Sequence, residues 1–231
     1  VQFRDNGLFI SMLFDSATNR GGYSNYFPCS KLLSFPGSDT SSCLFEDASH
    51  ISIVPSYAGL TAAEMTDPTL AMTVGSSVTL HSTASHSMRA ECKLIGTIYE
   101  YQCASWLKIP QAILSVLAPE NIIEPKVIFT APTKLGYCSL LILDLSSSVR
   151  STSRPWKSIQ FRVTTASSLN PTINISNATH IEDFFNANFT LSPPTALQYS
   201  FFQPGNVYTF HVKLCNALFG GCAIGVHKVT T

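Results

Sequence analysis

Strict alternation of apolar and polar residues indicates two strands in the second half of the chain. In SIQFRVT (158–164) and in VYTFHVKL (207–214), every second residue is apolar. Successive side chains of a strand point to opposite faces, so one face of each is expected to be buried. Arg162, His211 and Lys213 are expected to point outward, and Tyr208 is predicted to act as a tyrosine corner. The predicted inward positions are Ile159, Phe161, Val163, Tyr208, Phe210, Val212 and Leu214.

Apolar runs without alternation occur at LFISMLF (8–14) and SLLILDL (139–145), and they predict strands covered on both faces. Asp15 and Asp144 follow these strands, and each is predicted to close its strand with an Asx-turn rather than to hold a cation. Long helical periodicity is absent. Capping-box spacing of Thr61 with Glu64 and of Thr179 with Glu182 predicts two short helices, each of one or two turns inside a loop.

The predicted fold is therefore all-β, with two tandem immunoglobulin-like β-sandwich domains and one or two short helices in loops. A length of 231 residues suits two domains of ordinary size. The segment APENIIEPK (118–126) places two prolines around a polar stretch, which is typical of a boundary. We predict an N-terminal β-sandwich at 1–118, a linker at 119–126 and a C-terminal immunoglobulin-like sandwich at 127–231.

Charge is sparse, and this argues against several function classes. Charged residues make up 12% of the chain, and 14 basic and 14 acidic residues give a net charge of +0. We therefore expect no nucleic-acid binding, which depends on a basic surface. No stretch of 18 apolar residues is present, so no membrane insertion of this segment is expected. The first residues lack an initiator Met and the order of a signal peptide, which favours an interior piece of a larger protein.

Seven cysteines favour a disulfide-bonded, extracellular chain over a cytosolic chain with free thiols. Their spacing suggests three close pairs: Cys29 with Cys43, Cys92 with Cys103, and Cys215 with Cys222. Cys138 is left over, and it pairs instead with Cys215 or Cys222 if a bridge crosses the sandwich. No CxxC or zinc-ligand spacing occurs, so no metal is expected.

Three N-x-[ST] sequons lie close together, at Asn174, Asn177 and Asn188. Such a cluster in a polar segment predicts passage through a secretory pathway and N-linked glycans on at least one of the three. We expect no cofactor, and N-linked glycans are the only non-protein groups predicted.

Candidate catalytic groups do not form a motif. The histidines are scattered over the chain, and no serine stands in a GxSxG elbow. We expect no enzyme activity. A carbohydrate-binding module is the main alternative, because Trp106 and Trp156 are suited to stack on sugar rings if they are exposed. Burial is the favoured expectation for both tryptophans.

Two stretches carry a family resemblance: APTKLGYCSLLILDLSSSVRSTSRPWKSIQFRV (131–163) and QPGNVYTFHVKLCNALFGGCAIGVHKVTT (203–231). They resemble receptor-for-egg-jelly and polycystic-kidney-disease (PKD) type extracellular modules of polycystin-like receptors and of protist or algal surface proteins. The matching positions are Cys138, Leu143, Asp144, Ser146, Ser148, Arg154 and the segment 205–208.

This resemblance implies an immunoglobulin-like sandwich outside the cell and a role in adhesion, mechanical linkage or filament building, including on cilia or flagella. The expected function is that of a structural or adhesive module of a larger surface glycoprotein. Its expected partners are copies of itself or neighbouring modules in a filament, coat or receptor stalk. The alternative is a carbohydrate- or ligand-binding module of a polycystin-like receptor.

Overall fold

The computed structural model describes residues 1–81, 88–91, 107–150, 152, 154–166 and 171–231, the last with side chains from residue 177. The chain is mostly β, built from several antiparallel sheets. It divides into two compact units. Unit 1 comprises Val1–Ile123 and Thr152–Arg154, and unit 2 comprises Glu124–Ser151 and Pro155–Thr231. The division after Ile123 lies within the segment for which the sequence predicts a linker.

Unit 1 contains two antiparallel sheets in its described part. Across the first sheet the order is β1 (Gln2–Phe3), β2 (Ile10–Leu13), β6 (His50–Val54), β5 (Ser42–Asp47) and β3 (Phe27–Pro28), and across the second it is β4 (Leu33–Ser34), β7 (Ser77–Leu80) and β8 (Ala112–Ser115). The apolar run at 8–14 supplies β2, which pairs with β1 on one side and β6 on the other. The predicted cover on both faces is wrong, because Ile10 and Met12 are buried whereas Leu13 is 71% exposed.

A short helical turn in unit 1 begins with the capping box that the sequence predicts. The Glu64 carboxylate accepts a hydrogen bond from the Thr61 N–H at 2.7 Å, and the Thr61 hydroxyl accepts one from the Glu64 N–H at 3.3 Å. Each side chain thereby satisfies a backbone donor that the turn itself leaves unpaired. A 3-10 helix follows over Glu64–Thr66.

Unit 2 is built around an antiparallel sheet of β10 (Trp156–Ala166), β12 (Val207–Asn216) and β13 (Cys222–Thr230), with β12 in the middle. The predicted alternation is confirmed, because the inward side chains of β10 and β12 lie in one core cluster or pack against it. The tyrosine corner is also confirmed, since the Tyr208 hydroxyl accepts a hydrogen bond from the Gln203 N–H at 2.9 Å.

The second helix prediction is wrong in length and position. Helix α1 spans Pro171–Asn188, an 18-residue α-helix rather than one or two turns. Thr179 and Glu182 therefore lie inside the helix and do not form its capping box. Ala178, Ile181 and Phe185 point into the core, at the spacing of one helical face. Packing of this face stabilises a helix that its Asn- and Thr-rich sequence favours only weakly.

The prediction that the apolar run at 139–145 is a strand covered on both faces is also wrong. The run forms β9 (Leu140–Ile142), which pairs with β11 (Ala196–Gln198) in a two-stranded sheet. Leu141 is buried, but Leu140 and Ile142 are 54% and 41% exposed, so only one face of this strand is covered. The Asx-turn predicted for Asp144 is present, because its carboxylate accepts a hydrogen bond from the Ser146 N–H at 2.8 Å. The Asp15 carboxylate accepts its hydrogen bond from the Ser16 hydroxyl, at 3.3 Å.

Candidate functional site

Two disulfides are present among the described cysteines. Cys29, at the start of a 3-10 turn, is joined to Cys43 of β5 with 5.0 Å between the Cα atoms. Cys215 of β12 is joined to Cys222 of β13, directly opposite it in the hairpin. Of the pairings left open for the last three cysteines, the structure contains this one. Cys92 and Cys103 lie outside the described residues. The two bridges fit an extracellular protein.

Cys138 is a free, exposed thiol with a backbone φ of 68°. It lies in a groove of about 560 Å³ in unit 2, which we call the Cys138 groove. Tyr137 is 81% exposed beside it, and its ring meets the Tyr199 ring edge-on at 5.2 Å between centroids. The groove is lined by Tyr137, Cys138, Ser139, Leu140, Gln198, Tyr199, Ser200, Phe202 and Pro204.

This groove places a thiol among exposed apolar side chains. Leu140 lines it, and Ile142 points from the same face of β9 into solvent. Burying leucine and isoleucine side chains lowers the free energy of the complex, roughly in proportion to the apolar area removed from water. A surface of this kind can bind another apolar surface, and the Cys138 thiol is accessible for a covalent link to it.

A second surface lies on the outer side of the three-stranded sheet. Its members come from β10, β12 and β13 in three cross-strand rows: Gln160–Lys213–Ile224, Arg162–His211–Val226 and Thr164–Thr209–Lys228. We call these nine residues the cationic face. A groove of about 530 Å³ opens over it and is lined by Gln160, Phe161, Arg162, Thr164, His211, Lys213 and Ile224.

No acidic residue belongs to the strands that form the cationic face. The acidic residues of unit 2 are Glu124, Asp144, Glu182 and Asp183, all outside these strands. The Glu46 carboxylate contacts the Arg4 guanidinium and the His50 ring, both in unit 1. Arg162 and Lys213 thus have exposed positive charges without a carboxylate partner in the described part of the chain.

Helix α1 contains all three predicted glycosylation sites. Asn188 is exposed at its last position, and its side-chain amide donates a hydrogen bond to the Phe184 carbonyl at 2.9 Å. Asn177 is half-buried, and for Asn174 only the helical backbone is described. The sequence predicts a loop for this polar segment, and the structure instead places the sequons in a helix.

The carboxyl groups with altered pKa values serve local turns. Hydrogen bonds from Ser49 to Asp47, from Thr69 to Asp67 and from Ser146 to Asp144 lower the pKa of each aspartate. Hydrogen bonds from Thr61 lower the pKa of Glu64 in the same way. None of these four carboxyl groups lines either of the two grooves described above.

The remaining candidate residues from the sequence are the two tryptophans and the histidines. Trp156 is buried in the unit 2 core, so it offers no surface for a sugar, and Trp106 is outside the described residues. His211 lies on the outer side of the sheet, as the alternation of β12 predicts. Over the described residues, His, Cys, Asp and Glu form no group of three that could hold a metal ion. In the same part of the chain, no helix is long and apolar enough to cross a membrane.

Comparison of the chain with protein-family models and with curated proteins gives no significant match.

Proposed function

We propose that this chain is an extracellular structural or adhesive module of a larger surface glycoprotein. It would assemble with copies of itself or with neighbouring modules in a filament, coat or receptor stalk, including on cilia or flagella. The observation that carries the proposal is the Cys138 groove, where a free thiol lies beside exposed apolar side chains.

The disulfides and the sheets support this proposal. Bridges such as Cys29–Cys43 persist in oxidising compartments. Antiparallel sheets in both units and the Tyr208 corner are consistent with tandem immunoglobulin-like sandwiches of the PKD type. Helix α1, inserted between β10 and β12, is an addition to that pattern. Glycans on α1 would keep its outer side in solvent while another surface packs.

The Cys138 groove suits a protein contact because apolar area and a reactive group are combined there. Tyr137 and Leu140 are both more than half exposed. A permanent interface would cover them, and the contact would bring Cys138 close to a thiol of the partner. An oxidant of the extracellular compartment, such as dissolved oxygen, would accept two electrons from the two thiols, which lose their protons as the S–S bond forms. This adds a covalent bond to an interface that apolar burial has already formed.

Sedimentation velocity on the full chain tests the proposal under mildly oxidising conditions. We expect concentration-dependent association and a covalent species that Cys138→Ser abolishes. The double variant Tyr137→Ser/Leu140→Ser should weaken association by about tenfold or more. Leu13→Ser removes a leucine of unit 1 that is also more than half exposed, and it is the control. A wild-type chain that stays monomeric and keeps a free thiol at every concentration contradicts the proposal.

Carbohydrate binding is the second candidate, and the exposed Tyr137 ring favours it. An open aromatic ring beside a second ring, that of Tyr199, is a surface on which a sugar can stack. A glycan array probed with the full chain tests this function. Tyr137→Ala should remove any binding that depends on the ring, whereas Tyr26→Ala, a change at another exposed tyrosine, should preserve it.

A further inference from the structure

The outer side of the unit 2 sheet combines two kinds of recognition. Its β10 and β12 portion presents Arg162, His211 opposite it, and Lys213 two residues farther along β12. Its β13 portion presents the aliphatic residues Ile224 and Val226. Ile224 is 68% exposed and Val226 is 53% exposed. Positive charge and apolar area therefore lie side by side on the cationic face.

From this arrangement, we propose that the cationic face is a docking site for an acidic, extended protein segment whose carboxylates face Arg162 and Lys213. An apolar side chain of that segment covers Ile224 and Val226. This site is separate from the Cys138 groove and does not depend on self-assembly.

Charge is the first argument for this occupant. Lys228 adds a third cation in the next row, and β10, β12 and β13 contain no Asp or Glu. An arginine guanidinium pairs with a carboxylate through two parallel hydrogen bonds, which gives direction as well as attraction. An anionic partner removes the repulsion among these cations, whereas a cationic partner adds to it.

Spacing is the second argument. Arg162 lies directly opposite His211, and Lys213 is two residues farther along β12, so Arg162 and Lys213 are diagonal neighbours. Diagonal neighbours in an antiparallel sheet are about 7–8 Å apart. Alternate side chains of an extended peptide are about 6.6 Å apart and point to the same side. Two carboxylates at alternate positions of one peptide therefore match the separation of the two cations.

The aliphatic residues separate a protein segment from an anionic polysaccharide. Ile224 and Val226 are alternate residues of β13 on the same face as the cations. A protein segment supplies aliphatic side chains that remove this area from water, which stabilises the complex. A sulfated polysaccharide has anionic groups for the cations but no aliphatic side chain for Ile224 and Val226.

Titration of the full chain with a peptide that alternates glutamate and valine tests the site. The peptide carries a neutral fluorophore, and binding is followed by fluorescence anisotropy. We expect saturable binding that weakens with added salt, because the charges are exposed to solvent. Arg162→Gln/Lys213→Gln should weaken binding by about tenfold, and Ile224→Ser/Val226→Ser by a similar factor.

The matched control is Lys134→Gln/Lys157→Gln, which removes two exposed positive charges of unit 2 outside the cationic face. This control should bind the peptide like the wild type, and circular dichroism should show all three variants folded. A lysine–valine peptide should not bind. Peptide binding that is absent, or that is unchanged by Arg162→Gln/Lys213→Gln, overturns the proposal. Tight binding of dextran sulfate by a chain that does not bind the peptide also overturns it.

Discussion

The side chain of Asn186 forms two hydrogen bonds with the backbone of Phe161, in the positions that a neighbouring strand would occupy. Its amide oxygen accepts a hydrogen bond from the Phe161 N–H at 2.8 Å, and its amide nitrogen donates one to the Phe161 carbonyl at 3.0 Å. One turn earlier in α1, the Glu182 carboxylate accepts a hydrogen bond from the Val163 N–H at 2.9 Å. Strand β10 is an edge of its sheet, so these bonds satisfy groups that a further strand would otherwise pair.

Asn186→Ala should destabilise the protein by about 1–2 kcal/mol, because it leaves the Phe161 N–H and carbonyl without these partners. Chemical denaturation with an intrinsic fluorescence readout measures the change. Asp183→Ala is the matched control, since it makes an alanine at an exposed position of the same helix. Equal stabilities for the two variants would show that water replaces Asn186 at no cost.

Arg154 is buried in unit 1 and should be needed for its stability. The side chain is 2% exposed and donates hydrogen bonds to the carbonyls of Met65 and Met72 and to the Tyr57 hydroxyl. The guanidinium also lies over the Tyr57 ring, 4.1 Å from its centroid. Arg154→Lys keeps the charge but cannot reproduce this set of planar donors.

We expect Arg154→Lys to lower the free energy of unfolding by about 2–4 kcal/mol, because buried carbonyls lose their donors. Tyr57→Phe keeps the ring and loses one acceptor, so its effect should be smaller, about 1 kcal/mol. Arg162→Lys, the same substitution at an exposed arginine, serves as the control. If the buried and exposed lysine variants unfold at the same denaturant concentration, the hydrogen bonds of Arg154 contribute nothing.

The strands of unit 2 could be predicted because their alternation is strong and local. Phe210 and Val212 are fully buried, and Lys213 is exposed, as the period of two requires. The Tyr208 corner was likewise predictable, since it needs only a residue in a strand and a turn a few residues before it. Both inferences use positions that are close in sequence.

Helix α1 was missed because its sequence has two opposing signals. Asn, Thr and Ser favour caps and loops, and the sequons strengthened that interpretation. The apolar positions Ile181, Phe184 and Phe185 repeat at helical spacing, which is the signal that would have identified the helix. The Phe185 ring packs on the Phe161 ring of β10, with 4.9 Å between ring centroids, and this contact joins segments that are distant in sequence.

The cationic face could not be predicted from the sequence alone. Alternation places Arg162 and His211 on outward positions of their strands, but 48 intervening residues separate them in the chain. Only the pairing register shows that they lie directly opposite each other. The low fraction of charged residues and the zero net charge of the whole chain therefore do not reveal this local cluster of positive charge.

Stability should fall at low pH through the turn carboxylates. Hydrogen bonds hold the pKa values of Asp47, Asp67 and Asp144 below the ordinary value of 3.8. A depressed pKa in the folded state stabilises the fold above the unfolded pKa, and this stabilisation is lost as the pH falls through the folded pKa. We expect the melting temperature to decrease below about pH 4.

The triple variant Asp47→Asn/Asp67→Asn/Asp144→Asn tests the origin of that loss. Asparagine keeps an oxygen acceptor for the turn but cannot be protonated in this range. Its melting temperature should therefore depend less on pH between pH 5 and pH 2 than that of the wild type. Identical pH profiles would assign the acid sensitivity to other carboxylates.

Glycosylation is expected at Asn188 in preference to Asn177. Asn188 is exposed at the end of α1, whereas Asn177 is half-buried inside the helix. Attachment at Asn188 competes with the hydrogen bond from its amide to the Phe184 carbonyl, which the last turn of a helix can release. Chain secreted from eukaryotic cells should lose mass on treatment with an N-glycan amidase, and Asn188→Gln should reduce that loss. A secreted chain without any mass shift contradicts the prediction.

Gly225 should tolerate no side chain, because two residues of unit 2 pack directly against it. A Cβ atom at this position would lie 2.5 Å from Val127 Cγ1 and 2.8 Å from Phe129 Cε2, which is well inside normal contact distance. Phe129 is itself held by stacking on His227, with 5.4 Å between ring centroids. Gly225→Ala should thus destabilise the protein by about 1–3 kcal/mol through overpacking. Gly221→Ala is the control, since its Cβ would meet Pro125 Cδ at an ordinary 3.5 Å. Urea denaturation of both variants measures the difference, and a Gly225→Ala chain as stable as Gly221→Ala would mean that Val127 and Phe129 shift without cost.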